Sequence, residues 1–215
     1  MQAQQQANAI AIQRSRAADA SRRQQAGLAQ ALSQKYHVTG RLESSDVVVD
    51  GFYDVLGDFP EVEDSAGGFP KLEELKKAVV IDHSEDSNLC AFEERAADVS
   101  AEVVSRGPAA RIKALAQIVV DSMGGTYDCD DTLSHFWQAA SAAEKAKKRS
   151  AVIALGNLSV GSIRHRALLF KLLADSLNIK SQLRKGPAAG GGDDLAVNVV
   201  NIDGKVTAAA LLSYG

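Results

Sequence analysis

One stretch near the C-terminal end constrains this chain more than any other: the thirty-two residues from Leu155 to Gly186, LGNLSVGSIRHRALLFKLLADSLNIKSQLRKG. From Ile163 onward, Ala167, Leu168, Leu169, Phe170, Leu172, Leu173, Ala174 and Leu177 cover most of a helix circumference, the pattern of a helix buried on nearly all sides. Ser162 is placed to cap its start and Asn178 to end it in a left-handed conformation, after which Ile179 to Arg184 alternates as a short strand. This helix must be a central core element. Its first turn nevertheless carries Arg164, His165 and Arg166, where the partial positive charge of a helix N-terminus favours anions. Carboxylates or carbonyls from elsewhere have to hold them.

The rest of the chain supplies helices first and antiparallel strands last. Residues 1–30, rich in Gln, Ala, Arg and Ser with few large apolar side chains, predict a helical or flexible linker segment, and 31–215 one domain. A helix finishing at Gln30 to Val38 leads through Val47, Val48 and Val49 into Asp50-Gly-Phe-Tyr-Asp54. Pro60 to Pro70, with Glu61, Glu63 and Asp64, predicts an acidic exposed loop, and Val79 to Ile81 a strand. Helices are predicted from Asp86 or Ser87, from Pro108 and from about Asp131, the second stopped by Gly124 and Gly125. Asp203-Gly204 between the apolar runs 195–202 and 205–212 predicts a hairpin. The fold class is α+β, a helical lobe packed on a small antiparallel sheet.

Composition closes off several functions. With 24 basic against 27 acidic side chains, a net charge of −3 and no basic stripe interleaved with aromatics, nucleic acid is excluded as a partner. No apolar run approaches the ~18 residues that span a bilayer, which excludes direct membrane insertion and predicts a cytoplasmic location. Two cysteines, Cys90 and Cys129, fit free thiols in a reducing compartment. His37, His83, His135 and His165 show no metal-ligand spacing, so neither a metal nor a cofactor is expected.

At its signature the chain resembles the EDR domain, the central regulatory module of plant Raf-like MAP kinase kinase kinases of the enhanced-disease-resistance and constitutive-triple-response class. The resemblance rests on the stretch from Gly156 to Gly186 and continues upstream in the family's order. ALSQKYHVTGRL (31–42), DGFYDVLG (50–57), FPKLEELK (69–76), DSNLCAFEERA (86–96), MGG (123–125) and LSHFWQAAS (133–141) precede it, and DDLAVNVV (193–200) follows. It covers about residues 31–213 and implies a papain- or transglutaminase-like architecture. In enzymes of that layout a cysteine at the helix N-terminus is activated by His and then Asp or Asn on the following strands. Here the thiol position before the Arg-His-Arg triplet is Ile163, the base position is Asp194 or its neighbour Leu195, and the orienting acid would lie near Ala210. The resemblance therefore implies a domain without catalytic residues.

Other chemistry in the sequence is weaker. GNLSVG (156–161) lacks the glycine two residues before Ser159 that a nucleophile elbow needs, and Gly190 to Gly192 lacks the Lys-Ser/Thr of a phosphate loop. Cys129 with His135 and Asp130 or Asp131 forms an alternative nucleophile set, in which the domain is a hydrolase or transferase. His165 reads as a core histidine bonded to nearby backbone, and Arg164 and Arg166 as clamps on carbonyls or on Asp50 and Asp54.

Two readings of function compete. The first is a regulatory, protein-interaction domain of a Ser/Thr kinase in hormone and stress signalling, covering ethylene, abscisic acid and osmotic stress, or defence. Its partners would be the chain's own kinase domain, an upstream sensor or receptor and a downstream kinase, with endomembrane recruitment through a partner. The second is an enzyme of unfamiliar type on the same fold. For the first, the acidic loop with Glu61, Glu63 and Asp64 and the basic helix end with Lys145, Lys147, Lys148 and Arg149 are the candidate contact surfaces.

Overall fold

The signature helix α5, Ile163–Ser176, is buried at every residue from Arg164 to Ala174. Ser162 caps it, accepting from the His165 backbone N–H, while the His165 ring accepts from the Ser162 N–H. This is a capping box in which His takes the place usually held by Glu or Gln. Asn178 follows with φ of 55°, the left-handed stop that the sequence predicts. The structure, a computed structural model, describes residues 2–55, 78–128, 130–190 and 195–209.

Ahead of α5 the helices are α1 (Gln2–Thr39), α2 (Ser87–Glu102), α3 (Pro108–Ser122) and α4 (Asp130–Lys148). Asp86 caps α2, Pro108 opens α3, and Gly124 and Gly125 end it with φ of 92° and 80°, each where the sequence places it. α2 packs on α3, and both touch α5, which also lies against strands β5 (Ser181–Lys185) and β6 (Ala196–Ile202). α5 is therefore the shared core of the helical lobe and the sheet, and the α+β class holds.

The main sheet runs β1-β5-β6-β7, all antiparallel, with β1 at Arg41–Leu42 and β7 at Lys205–Ala209. Asp203 and Gly204 both have positive φ, 52° and 82°, as a tight right-twisted hairpin demands. A second sheet, absent from the sequence-based layout, joins β2 (Tyr53–Val55), β3 (Ala78–Val80) and β4 (Ile153–Ala154). β2 and β3 are antiparallel, β3 and β4 parallel.

Helix α1 continues through residue 30 without a break. Residues 19–28 are largely exposed, and Ala29, Leu32, Ser33 and Tyr36 are buried in the core. Ser33 ties it to the second sheet by accepting from the Tyr53 N–H at 2.9 Å. The acidic loop with Glu61, Glu63 and Asp64 lies outside the described residues, as do residues 210–212 of the expected last strand.

Candidate functional site at the head of the central helix

The basic first turn of α5 is held by one carboxylate and several carbonyls. Arg164 Nη2 donates to both oxygens of Asp54 at 2.8 Å, and Lys185 Nζ donates to Asp54 Oδ1, also at 2.8 Å. All three residues are buried. Burial alone would push the Asp54 carboxyl up, but the Arg164 and Lys185 charges and hydrogen bonds outweigh it and hold the group below the usual carboxylate range. Lys185 also sits 4.2 Å from the centroid of the Tyr36 ring, a cation–π contact that joins α1 to the cluster.

Arg166 does different work. Its Nε donates to the Gly161 carbonyl at 3.0 Å and its Nη2 to the Met123 carbonyl at 2.8 Å, with the guanidinium 5.5 Å from the Tyr127 ring centroid. It thus clamps the end of α3 to the loop before α5. The glycines of that loop are matched to their neighbours. A Cβ on Gly156 would lie 2.5 Å from Asp86 Oδ1, and one on Gly161 2.4 Å from Met123 Sδ. Asp86 Oδ2 accepts from the Gly156 N–H at 2.6 Å while Oδ1 accepts from Leu89 N–H, so one buried carboxylate caps α2 and pins the loop.

His165 is fixed through Nδ1, which accepts from Ser162 N–H at 3.1 Å and lies 3.0 Å from Ser162 Oγ. A ring nitrogen that accepts a backbone N–H carries no proton, so the neutral ring bears its hydrogen on Nε2. Burial, with the Arg164 and Lys145 charges, pulls its pKa down to about 4 against a raising influence from Asp54. Trp137 stands edge-on to the ring at 5.4 Å between centroids.

Two cavities flank Trp137. One of about 240 Å³ lies over the very start of α5 and is walled by Leu133, Trp137, Ser162, Ile163 and Leu195. Ile163 stands here with a half-buried aliphatic side chain. Asp194, Ala210 and Cys129 lie outside the described residues. The other cavity, about 610 Å³, opens between α4, the second sheet and α5. Among the described residues no group of His, Cys, Asp and Glu has the arrangement of a metal site.

The remaining candidates fall in different places. Asp50 does not meet the arginines, because it precedes the strand on which Asp54 points inward. Its Oδ1 accepts from His83 N–H at 3.0 Å and meets His83 Nδ1 at 2.5 Å, and His83 Nε2 lies 3.2 Å from Glu93. Lys145 is set apart from the basic run. It lines the larger cavity beside His165, whereas Lys147, Lys148 and Arg149 are exposed, Lys147 pairing loosely with Glu144 at 3.6 Å. Lys145, Lys147 and Lys148 cannot share one face of α4, since successive side chains turn by about 100°, and Arg149 follows the helix with φ of 51°.

The order of these parts agrees with a defined family. The family described as EDR1/CTR1/ARMC3, peptidase-like, matches residues 28–209. The chain belongs to this family. Among its relatives are the probable serine/threonine-protein kinase SIS8 of Arabidopsis thaliana, 34% identical over 81% of this chain, and the serine/threonine-protein kinase CTR1 of the same plant, 29% identical over 78%. Human armadillo repeat-containing protein 3 is 36% identical over a shorter stretch, 35% of the chain. The chain spans about a fifth of the two plant kinases, 18% and 22% of their lengths. No solved structure matches. The peptidase-like family agrees with the α+β architecture, and among the described residues no helix is long and apolar enough to cross a membrane.

Lys185 is the site residue that the sequence leaves unmarked, and Asp86 is marked there as a helix cap but not as the anchor of the loop at Gly156. The alternation of β5 was the available signal for Lys185: Ser181, Leu183 and Lys185 share the buried face, so the strand carries its last residue inward.

Proposed function

We propose that this chain is a non-catalytic regulatory and protein-interaction domain of a plant Raf-like serine/threonine kinase acting in hormone and stress signalling. The observation that supports this reading is the aliphatic residue at the head of α5, where the family resemblance implies a thiol. Ile163 is the first helical residue of α5, its side chain walls the smaller cavity, and the histidine of the same turn, His165, is committed to capping the helix. An aliphatic side chain cannot form a thiolate, and a ring nitrogen occupied by a backbone N–H is not poised to take a proton from a nucleophile. Kinship with kinases of which the chain would be about a fifth supports a role in controlling a kinase domain.

The test uses a full-length kinase carrying this domain. Charge reversal of Lys147, Lys148 and Arg149 to Glu is expected to change kinase output or partner recovery while leaving the domain's Tm nearly unchanged, because these side chains are exposed and their loose pairs contribute little to stability. Ile163→Cys is expected to yield no peptidase or acyl-transfer activity. Thiol-dependent turnover by the unmodified chain would return the enzyme reading, and unaltered output after the charge reversal would remove the basic helix end from the interaction surface.

A further inference from the structure

We propose that the outer face of the main sheet is a docking site for an acidic peptide segment in which carboxylates stand next to apolar side chains. Strand register fixes what this face presents. Leu42, Leu183, Asn198 and Val200 are buried on the side of α5, so Arg41, Arg184, Val197 and Val199 stand on the other. Pairing extends the same face across β7, where Ala208 lies opposite Val199 and Val206 opposite Asn201. Val197 and Val199 are half-buried and belong to neither apolar core cluster, and Val206 is 73% exposed. A basic corner on β1 and β5 thus adjoins an apolar patch on β6 and β7.

Charge complementarity names the partner. Arg41 and Arg184 are directly opposite each other on β1 and β5. The Lys185 N–H donates to the Gly40 carbonyl at 2.8 Å, which makes Gly40 and Lys185 the hydrogen-bonded pair and leaves the next pair, Arg41 and Arg184, in the closer class. Like charges placed opposite in this way repel. Arg184 Nη2 donates to the neutral Gln182 Oε1 at 2.7 Å, and neither guanidinium forms an ion pair among the described residues. Glu43 lines the same shallow hollow as Arg41 without pairing to it, and the Lys35 of that hollow is already paired with Asp46. Carboxylates set between the two guanidiniums convert their repulsion into charge-assisted hydrogen bonds, and the adjoining valines reward apolar side chains next to them. The proposal rests on the reading of the chain as an interaction domain, but it uses neither Ile163 nor the basic end of α4.

The test titrates the whole chain into a fluorescein-labelled, N-acetylated peptide of sequence Glu-Glu-Val-Leu-Val. Fluorescence anisotropy is expected to saturate with a Kd below ~1 mM. The same peptide with glutamine for glutamate should bind about tenfold or more weakly, as charge-assisted bonds become neutral ones. Arg41→Gln combined with Arg184→Gln should abolish that preference, and Val199→Ser should weaken both peptides. Charge reversal of Lys147, Lys148 and Arg149 should leave peptide binding unchanged, so a failure at this face is distinguishable from a failure of the α4 surface, which kinase output reads. Circular dichroism confirms that each variant keeps the fold. Absence of saturation up to ~1 mM, equal affinity for the two peptides, indifference to either the arginine or the valine variant, or a loss on reversal of the α4 end would each overturn the proposal. So would a self-association of the free chain, measured by sedimentation and abolished by Val206→Lys, because a second copy would then be the occupant of this face.

Discussion

Arg164 and Asp54 lie 110 residues apart in sequence and meet inside the molecule, one guanidinium nitrogen donating to both carboxylate oxygens at 2.8 Å. The contact joins the first turn of the central helix to the second sheet, and Lys185 completes it from the end of β5. A carboxylate shared by two buried cations is valuable less for its own strength than for what its loss would leave behind. Two buried cations would then lose the carboxylate they share.

Asp54→Ala should therefore destabilise the domain by about 3–5 kcal/mol, more than the removal of most surface ion pairs. Chemical denaturation with urea measures it. A loss below about 1 kcal/mol would mean that water reaches Arg164 and Lys185 and solvates them.

Leu169→Ala and Leu172→Ala remove side chains that are 0% and 3% exposed at the middle of α5. Each should cost about 2–5 kcal/mol, the range for a truncated core leucine. Equilibrium unfolding reads both, and a near-neutral result at either position would contradict the burial of the helix on all sides.

Gly156→Ala tests a close approach rather than a backbone angle. The added methyl would fall 2.5 Å from Asp86 Oδ1 and 2.8 Å from Leu89 N, within the cap of α2, where neither atom can yield cheaply. A loss of about 1–3 kcal/mol is expected from such overpacking. Asp86→Ala in the same background should show less than additive loss, since both changes break one contact.

Acid should weaken the fold through His165. Its folded pKa is about 4 and its unfolded value 6.5, so between these pH values the unfolded chain binds a proton that the folded chain refuses. Stability is therefore full above about pH 6.5 and falls as pH drops towards 4, by on the order of 3 kcal/mol in all. Asp54, whose folded pKa is depressed, loses its contribution at still lower pH. His165→Gln supplies the test, because Gln suits the capping box and does not titrate. Its Tm should vary less between pH 6.5 and 4 than that of the natural chain, and an unchanged slope would assign the acid sensitivity elsewhere. His83, raised by Asp50 and Glu93 against the lowering effect of burial, acts in the opposite sense, its contribution fading as pH climbs through its raised value.

Much of this arrangement is legible in the sequence because it is written locally. Asp86, Pro108, Ser162, Asn178 and Asp203-Gly204 act through their own backbone, and the helices and hairpin begin or end where these residues say. The second sheet is only partly legible, its middle strand β3 marked by the apolar run 79–81 and its neighbours unmarked, for the converse reason. Its strands are two or three residues long, too short for any alternation to register, and the helices that support them, α1 against β2 and α4 against β4, come from distant parts of the chain. The choice of Asp54 over Asp50 is likewise a matter of strand register, fixed by the pairing of Asp54 with Val79 and not by the motif that contains both acids. Lys145 and Lys147 look alike in a basic run and are separated only by helical phase.

The pairing of β1 with β5 matches Arg41 to Arg184, and Lys185 reaches back 131 residues to Asp54. On the ribosome this has a plain meaning. A nascent chain that has not yet delivered residues 163–185 holds an acid with no cation, a first strand with no neighbour and a helical lobe with its centre missing. Such a chain gains little by collapsing early, since the contacts that reward closure come last. Synthesis must run nearly to the end of the domain before folding becomes worthwhile, and release fragments stopping short of β5 should be substrates for chaperones and proteases, never miniature versions of the whole.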